Sequence, residues 1–158
     1  GGLGRDAFVL ADLGCRVTLC EQTPALAWLL QDAILCAQVS RYDAVRDAVE
    51  RMTVCSGQSE AQSLHAATVI YIDPMFPERK KAAAVKKEAM MLQYLSASHD
   101  GGESLMAWAW QQAIDRIVVK RPLKAPVLGE RKASFTLSGK SVRFDVFVRN
   151  AHSTSVQQ

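Results

Sequence analysis

Short apolar runs at residues 16–21, 52–55, 69–72 and 116–120 recur along the chain with helix-patterned segments between them. That alternation narrows the fold to an α/β class, because parallel strands need a crossover of a dozen or more residues and a helix is the usual crossover. The intervening patterns are specific. Ala7, Phe8, Leu10, Ala11 and Leu13 follow a helical period that Gly14 stops, and Thr23-Pro24 supplies an N-cap and first-turn proline for a helix carrying Leu26, Leu29, Leu30, Ala33, Ile34 and Ala37. Further helical patterns cover residues 42–51, 60–65, 82–96 and 106–113. After residues 122–132, an irregular basic connection, two last strands at 133–137 and 142–149 flank Ser138-Gly139-Lys140-Ser141, which predicts an antiparallel hairpin. The expected architecture is a three-layer α/β sandwich with a mostly parallel sheet that closes on this hairpin.

Composition sets outer limits. Of 158 residues, 49% are hydrophobic and 22% charged, enough for one real core. Residues 1–150 are expected to form one domain and residues 151–158 a polar, flexible tail. No apolar run approaches the roughly 18 residues of a membrane helix and no basic segment precedes a cleavable apolar one, which points to a cytoplasmic protein. Cys15, Cys20, Cys36 and Cys55 lack a CxxC pairing and read as small core residues, while His65, His99 and His152 have no ligand-like spacing, so no metal is expected. A net charge of +3 is compatible with a polyanionic partner without requiring one.

Three constellations carry chemistry. Val69 to Ile72 ends abruptly in Asp73-Pro74-Met75-Phe76-Pro77. In open α/β sheets ligands bind beyond the carboxyl ends of strands, so Asp73 is a candidate to enter a ligand crevice with Phe76 beside it; read locally, it is equally a helix cap followed by a proline. At the other end of the chain Gly2, Gly4 and Ala7 match a GxGxx(G/A) turn, and Glu21 closes the next strand where an acid that holds a ribose belongs. Those two features serve NAD and S-adenosylmethionine alike. Small polar residues from Ser56 to Ser59 follow another strand end, with little specificity of their own.

The closing hairpin separates the alternatives, since a nicotinamide-binding sheet continues with parallel units. The sheet resembles that of a Rossmann-like S-adenosylmethionine-dependent methyltransferase. Asp73 to Phe76 is similar to the (Asp/Asn/Ser)-Pro-Pro-(Tyr/Phe) motif of methyltransferases that modify exocyclic amino groups of bases, with Met75 in the third place. More specifically, Gly2-Leu3-Gly4-Arg5-Asp6-Ala7-Phe8, Asp73-Pro74-Met75-Phe76-Pro77, Val85-Lys86-Lys87-Glu88, Val118-Val119-Lys120-Arg121-Pro122 and Arg143-Phe144-Asp145 resemble the RsmJ family, bacterial 16S ribosomal RNA (guanine-N2) methyltransferases. The resemblance spans residues 1 to about 148. It departs at Gln58, where the family usually has serine, and at the start, where family members carry an N-terminal region and a first strand before the glycine turn. The chain is accordingly expected to be an N-terminally truncated piece, unstable or deficient in cofactor binding by itself.

The resemblance implies that S-adenosylmethionine is held by Gly2, Gly4, Arg5, Asp6, Glu21, Gln22, Gln58, Ser59 and Asp73. It implies a catalytic group of Asp73, Pro74 and Phe76, in which the Asp73 carboxylate and Pro74 carbonyl orient the amine and Phe76 stacks on the base. Arg79, Lys80, Lys81, Lys86, Lys87, Lys120 and Arg121 are candidates to hold phosphates of 16S ribosomal RNA or the small ribosomal subunit. Trp108 and Trp110 are assigned to packing. Competing readings are an amino methyltransferase for another base, an NAD-dependent oxidoreductase, and a noncatalytic RNA-binding remnant.

Overall fold

The computed structural model describes residues 3–61, 67–74, 102–112 and 114–149. The chain divides into two compact units, whose described parts are residues 3–61 and the remainder. In the first unit, helix α1 (Arg5–Asp12), strand β1 (Val17–Glu21), helices α2 (Pro24–Gln38) and α3 (Asp43–Glu50) and strand β2 (Met52–Ser56) lead to a single 3-10 turn, Ser59–Ala61. Strands β1 and β2 pair in parallel, from Val17 opposite Met52 to Glu21 opposite Ser56.

Local chemistry explains these elements. Gly4 opens α1 at φ 71°, a conformation that costs an L side chain roughly 1–2 kcal/mol. A Cβ there would also lie 2.9 Å from Leu30 Cδ2 on α2. Ala7 and Ala11, one turn apart, form the buried side of α1. Pro24 takes the first turn of α2 as expected, and Leu26, Ala27 and Leu30 are its buried residues. Leu29, expected on the packed side, is exposed. The cysteines are corrected as well: Cys15 and Cys36 are exposed, and Cys20 and Cys55 half-buried, because the latter two sit on a two-stranded ladder while the former lie beyond α1 and on the outer side of α2. Of the helix expected over 60–65, the described residues contain only the 3-10 turn. Gly2, Phe76 and the helix expected over 82–96 lie outside the described residues, as do Arg79, Lys80, Lys81, Lys86 and Lys87.

The second unit holds β3 (Val69–Ile72), α4 (Glu103–Gln111), β4 (Arg116–Pro122), β5 (Phe135–Ser138) and β6 (Val142–Val148). Its strands run β3-β4-β6-β5, with β3 parallel to β4 and the other pairs antiparallel. The closing hairpin is therefore present, and its second strand lies inside, between β4 and β5. Ile70, Ile72, Met106, Ile117, Val119 and Phe147 belong to its core. Trp110 meets Phe147 edge-on at 5.8 Å and has the Arg131 guanidinium 4.3 Å from its ring centroid, so it packs as assigned.

Antiparallel register puts Val119 opposite Asp145 and Arg121 opposite Arg143, and Thr136 of β5 opposite Asp145 on its other side. Paired residues share a face, so three polar side chains gather around one buried carboxylate. Asp145 is 1% exposed and accepts hydrogen bonds from Arg143 Nε at 2.9 Å and Thr136 Oγ1 at 3.0 Å. Arg143 also donates to the carbonyls of Pro122 and Leu123, and Arg121 donates through Nε to the Pro126 carbonyl at 2.9 Å. The irregular connection after β4 is thus tied to the sheet by two guanidinium groups.

Burial pushes the Asp145 carboxyl up, but the hydrogen bonds from Arg143 and Thr136 and the charges of Arg143 and Arg121 outweigh it and hold its pKa below the ordinary value. With a depressed folded pKa, this stabilisation is full above the unfolded value of about 3.9 and is lost as pH falls through the folded one. Asp145→Asn is expected to cost about 3–5 kcal/mol at pH 7, because it leaves buried guanidinium charge uncompensated. Urea unfolding from pH 7 to pH 2 should show a shallower acid limb for the variant; identical limbs would exclude Asp145 as the source.

Candidate active site

The candidate residues form two constellations, each inside one unit. In the first, Gly4, Arg5 and Asp6 make the turn into α1: Gly4 is buried, Arg5 exposed and Asp6 half-buried in the first helical turn, with the Gly4 carbonyl accepting from the Phe8 N–H. Glu21 ends β1 and is 4% exposed. Its Oε1 accepts the Thr23 N–H at 2.8 Å, while its carbonyl accepts the Gly57 N–H at 2.9 Å. Those bonds bring the turn after β2, with Gln58 exposed and Ser59 half-buried, beside the end of β1. Gln22 is exposed next to Glu21.

Burial pushes the Glu21 carboxyl up, yet the groups around it, the Thr23 N–H among them, hold its pKa below the ordinary carboxylate value. It is therefore an anionic acceptor at neutral pH. A carboxylate at a strand end, flanked by a glycine turn and a small polar turn, can accept hydrogen bonds donated by vicinal hydroxyls and suits a ribose. Burial and the adjacent Cys55 push the Cys20 thiol up.

In the second constellation, Asp73 and Pro74 follow the last residue of β3. Ile72 pairs with Val119, so Asp73 continues beside Lys120 on the neighbouring parallel strand. Lys120 Nζ lies 3.2 Å from Asp73 Oδ2, with the carboxylate side chain half exposed and the lysine 24% exposed. Gly102, at φ 96°, precedes α4 and lies against Pro74: a Cβ on it would sit 2.8 Å from Pro74 Cβ. Only glycine combines that backbone conformation with that approach.

The two basic residues of the Lys120-Arg121 pair face opposite ways. Strand alternation sets Arg121 on the side of Ile117 and Val119, where it is 3% exposed. Burial and Arg143 push its guanidinium pKa down, with Asp145 and Glu103 opposing, and arginine stays charged throughout. The expectation that Arg121 holds RNA phosphate is thereby corrected. The period-two pattern 117, 119, 121 carried that signal in the sequence. Gly102, Thr23 and the cluster around Asp145 were not singled out as site supports, since each acts through a partner brought to it by the chain's turns and pairings.

Among the described residues no group of three or more His, Cys, Asp or Glu is arranged to hold a metal ion, and no helix is long and apolar enough to cross a membrane.

The family model described as "Putative SAM-dependent methyltransferase" matches residues 1–149. The chain is 44% identical over 150 residues to ribosomal RNA small subunit methyltransferase J of Hahella chejuensis, covering 92% of this chain and 55% of that protein. It is 45% identical over 156 residues to the protein of the same name from Dechloromonas aromatica, covering 95% and 62%. The chain thus spans between about half and three-fifths of the length of these curated relatives. The crystal structure of a SAM-dependent methyltransferase from Neisseria gonorrhoeae superposes with a TM-score of 0.73 at 31% identity, over 99% of this chain and 65% of that one. The resemblance to the RsmJ family and the Rossmann-like α/β fold are both borne out, and the chain belongs to the SAM-dependent methyltransferase family whose model matches residues 1–149.

Proposed function

We propose that this chain provides catalytic machinery for S-adenosylmethionine-dependent methylation of a guanine N2 amino group in small-subunit (16S) ribosomal RNA, in the cytoplasm. The observation that supports the reading most is Asp73-Pro74 just beyond β3, with the carboxylate oriented by a cation from the next strand. Similarity to proteins named as ribosomal RNA small subunit methyltransferases supports the substrate class.

Glu21 holds the ribose hydroxyls, Gly4, Arg5 and Asp6 form the turn against the cofactor, and Gln22, Gln58 and Ser59 border it. Bound there, S-adenosylmethionine supplies an electrophilic methyl group. Guanine N2 is a poor nucleophile because its lone pair is delocalised into the ring. The Asp73 carboxylate and Pro74 carbonyl accept its two N–H bonds and turn the lone pair toward the methyl carbon. With the methyl group supplied by bound S-adenosylmethionine, the Asp73 carboxylate would accept the proton that the amine gives up as it becomes methylated. Orientation is the main device, since a near-attack geometry lowers a barrier by several kcal/mol without covalent catalysis. Phe76 stacks on the base, a contact worth about 1–3 kcal/mol, after a helical guanine has left its stack. Arg79, Lys80, Lys81, Lys86 and Lys87 hold RNA phosphates.

Glu21→Gln keeps an acceptor for the Thr23 N–H but removes the charge offered to the ribose. Titration calorimetry should show S-adenosylmethionine affinity weakened about 10-fold or more, the loss expected of one charge-assisted hydrogen bond; unchanged affinity would remove this role.

Asp73→Ala is expected to lower kcat by about 100- to 1,000-fold, a larger loss than in cofactor affinity, as for a group that acts mainly in the transition state. Nucleoside mass analysis of ribosomal RNA lacking the modification reads the result. Full turnover by a folded variant would refute the mechanism.

A further inference from the structure

We infer that Lys120 is a positioning residue for methyl transfer, acting through the Asp73 carboxylate and not as a ligand of RNA phosphate. The inference rests on the proposed role of Asp73. Three observations carry it. Lys120 Nζ lies 3.2 Å from Asp73 Oδ2, a hydrogen-bonded ion pair between residues 47 apart in sequence. The pair continues the parallel register in which Ile72 lies beside Val119, so the backbone ladder of two strands sets the separation of the two side chains. The lysine side chain is 24% exposed, against 50% for the aspartate, so its stem is largely covered and its reach is confined to the neighbourhood of the carboxylate.

The chemistry gives this contact a purpose. Asp73 directly follows the last residue of β3, where a half-exposed carboxylate has several side-chain rotamers open to it unless something holds it. An ammonium hydrogen bond to Oδ2 selects one rotamer and so fixes the direction in which the carboxylate meets an amine. A partly exposed ion pair contributes little to folding stability. Misplacing a reacting group by about 1 Å, in contrast, costs on the order of 100-fold in rate. The same pair is therefore nearly silent in stability and large in turnover. Tyr71, Val118 and Phe144 share this face by alternation, and Tyr71 and Phe144 approach at 6.4 Å between ring centroids, flanking the lysine stem with apolar surface.

The test uses the intact protein with 16S ribosomal RNA that lacks the modification, comparing Lys120→Met, Lys120→Arg, Asp73→Asn and the Met/Asn double variant. Lys120→Met is expected to lower the rate at saturating RNA by about 10- to 100-fold. RNA affinity and its salt dependence should stay at wild-type values, and Lys120→Arg should recover most of the rate. In the Asp73→Asn background Lys120→Met should add no further loss, because a residue that acts through another has nothing left to act on. Lys120→Gln replaces Lys120→Met if thermal unfolding shows the latter to be misfolded.

A loss confined to KM, with the salt slope of RNA binding lowered by about one, makes Lys120 a phosphate ligand and overturns the inference. An unchanged rate for Lys120→Met beside an impaired Asp73→Asn overturns it while leaving the role of Asp73 intact. Full turnover by Asp73→Asn removes the role of Asp73 and this inference with it.

Discussion

Strand β4 is hydrogen-bonded on both sides, parallel to β3 and antiparallel to β6, and the second unit depends on that double ladder. Because each ladder fixes register, and a one-residue slip would exchange the two faces, every side chain of β4 has its direction decided by backbone pairing. Ile117, Val119 and Arg121 go to the buried side, and Val118 and Lys120 to the other. The same constraint sets Lys120 against Asp73 and Arg121 beside Arg143. A single seven-residue strand thereby supplies apolar core, a brace for a long connection and a cation for the candidate catalytic carboxylate.

The buried charges on the inner face follow from this arrangement. A carboxylate at 1% exposure is costly to desolvate, and the cost is offset only by a complete set of donors. Arg143 provides a forked contact to both oxygens and Thr136 adds a hydroxyl to one of them. Arg143 and Arg121 then extend the network to the carbonyls of Pro122, Leu123 and Pro126. The Leu123 and Pro126 carbonyls belong to a segment without a ladder, which needs its acceptors satisfied by other means. Arg143 thus joins the connection that follows β4 to the Asp145 carboxylate.

In the first unit, short-range chemistry dominates. Thr23-Pro24 marks the start of α2, and the Thr23 N–H bonds back to Glu21, so the helix start and the orientation of the candidate ribose acceptor arise from neighbouring residues of one turn. Gly4 is legible in the sequence as a turn glycine; its contact with Leu30 shows that helix packing needs it as well as backbone conformation.

Residue type alone located much of this. Apolar runs bounded by turn residues mark β1, β2, β3, β4 and the closing hairpin to within a few positions, because strand burial and turn chemistry are local demands. Gly4, Glu21 and Asp73 stand out for the same reason: each closes or opens a regular element with a chemically distinctive group. The order β3-β4-β6-β5 is not legible in that way, nor is the pairing of Lys120 with Asp73, the enclosure of Arg121 or the approach of Gly102 to Pro74. In a linear sequence Lys120 and Arg121 are two adjacent cations of equal standing. Only strand pairing across tens of residues assigns one to a carboxylate and the other to the core, since side-chain direction in a sheet is set by the register with neighbours that are distant in the chain.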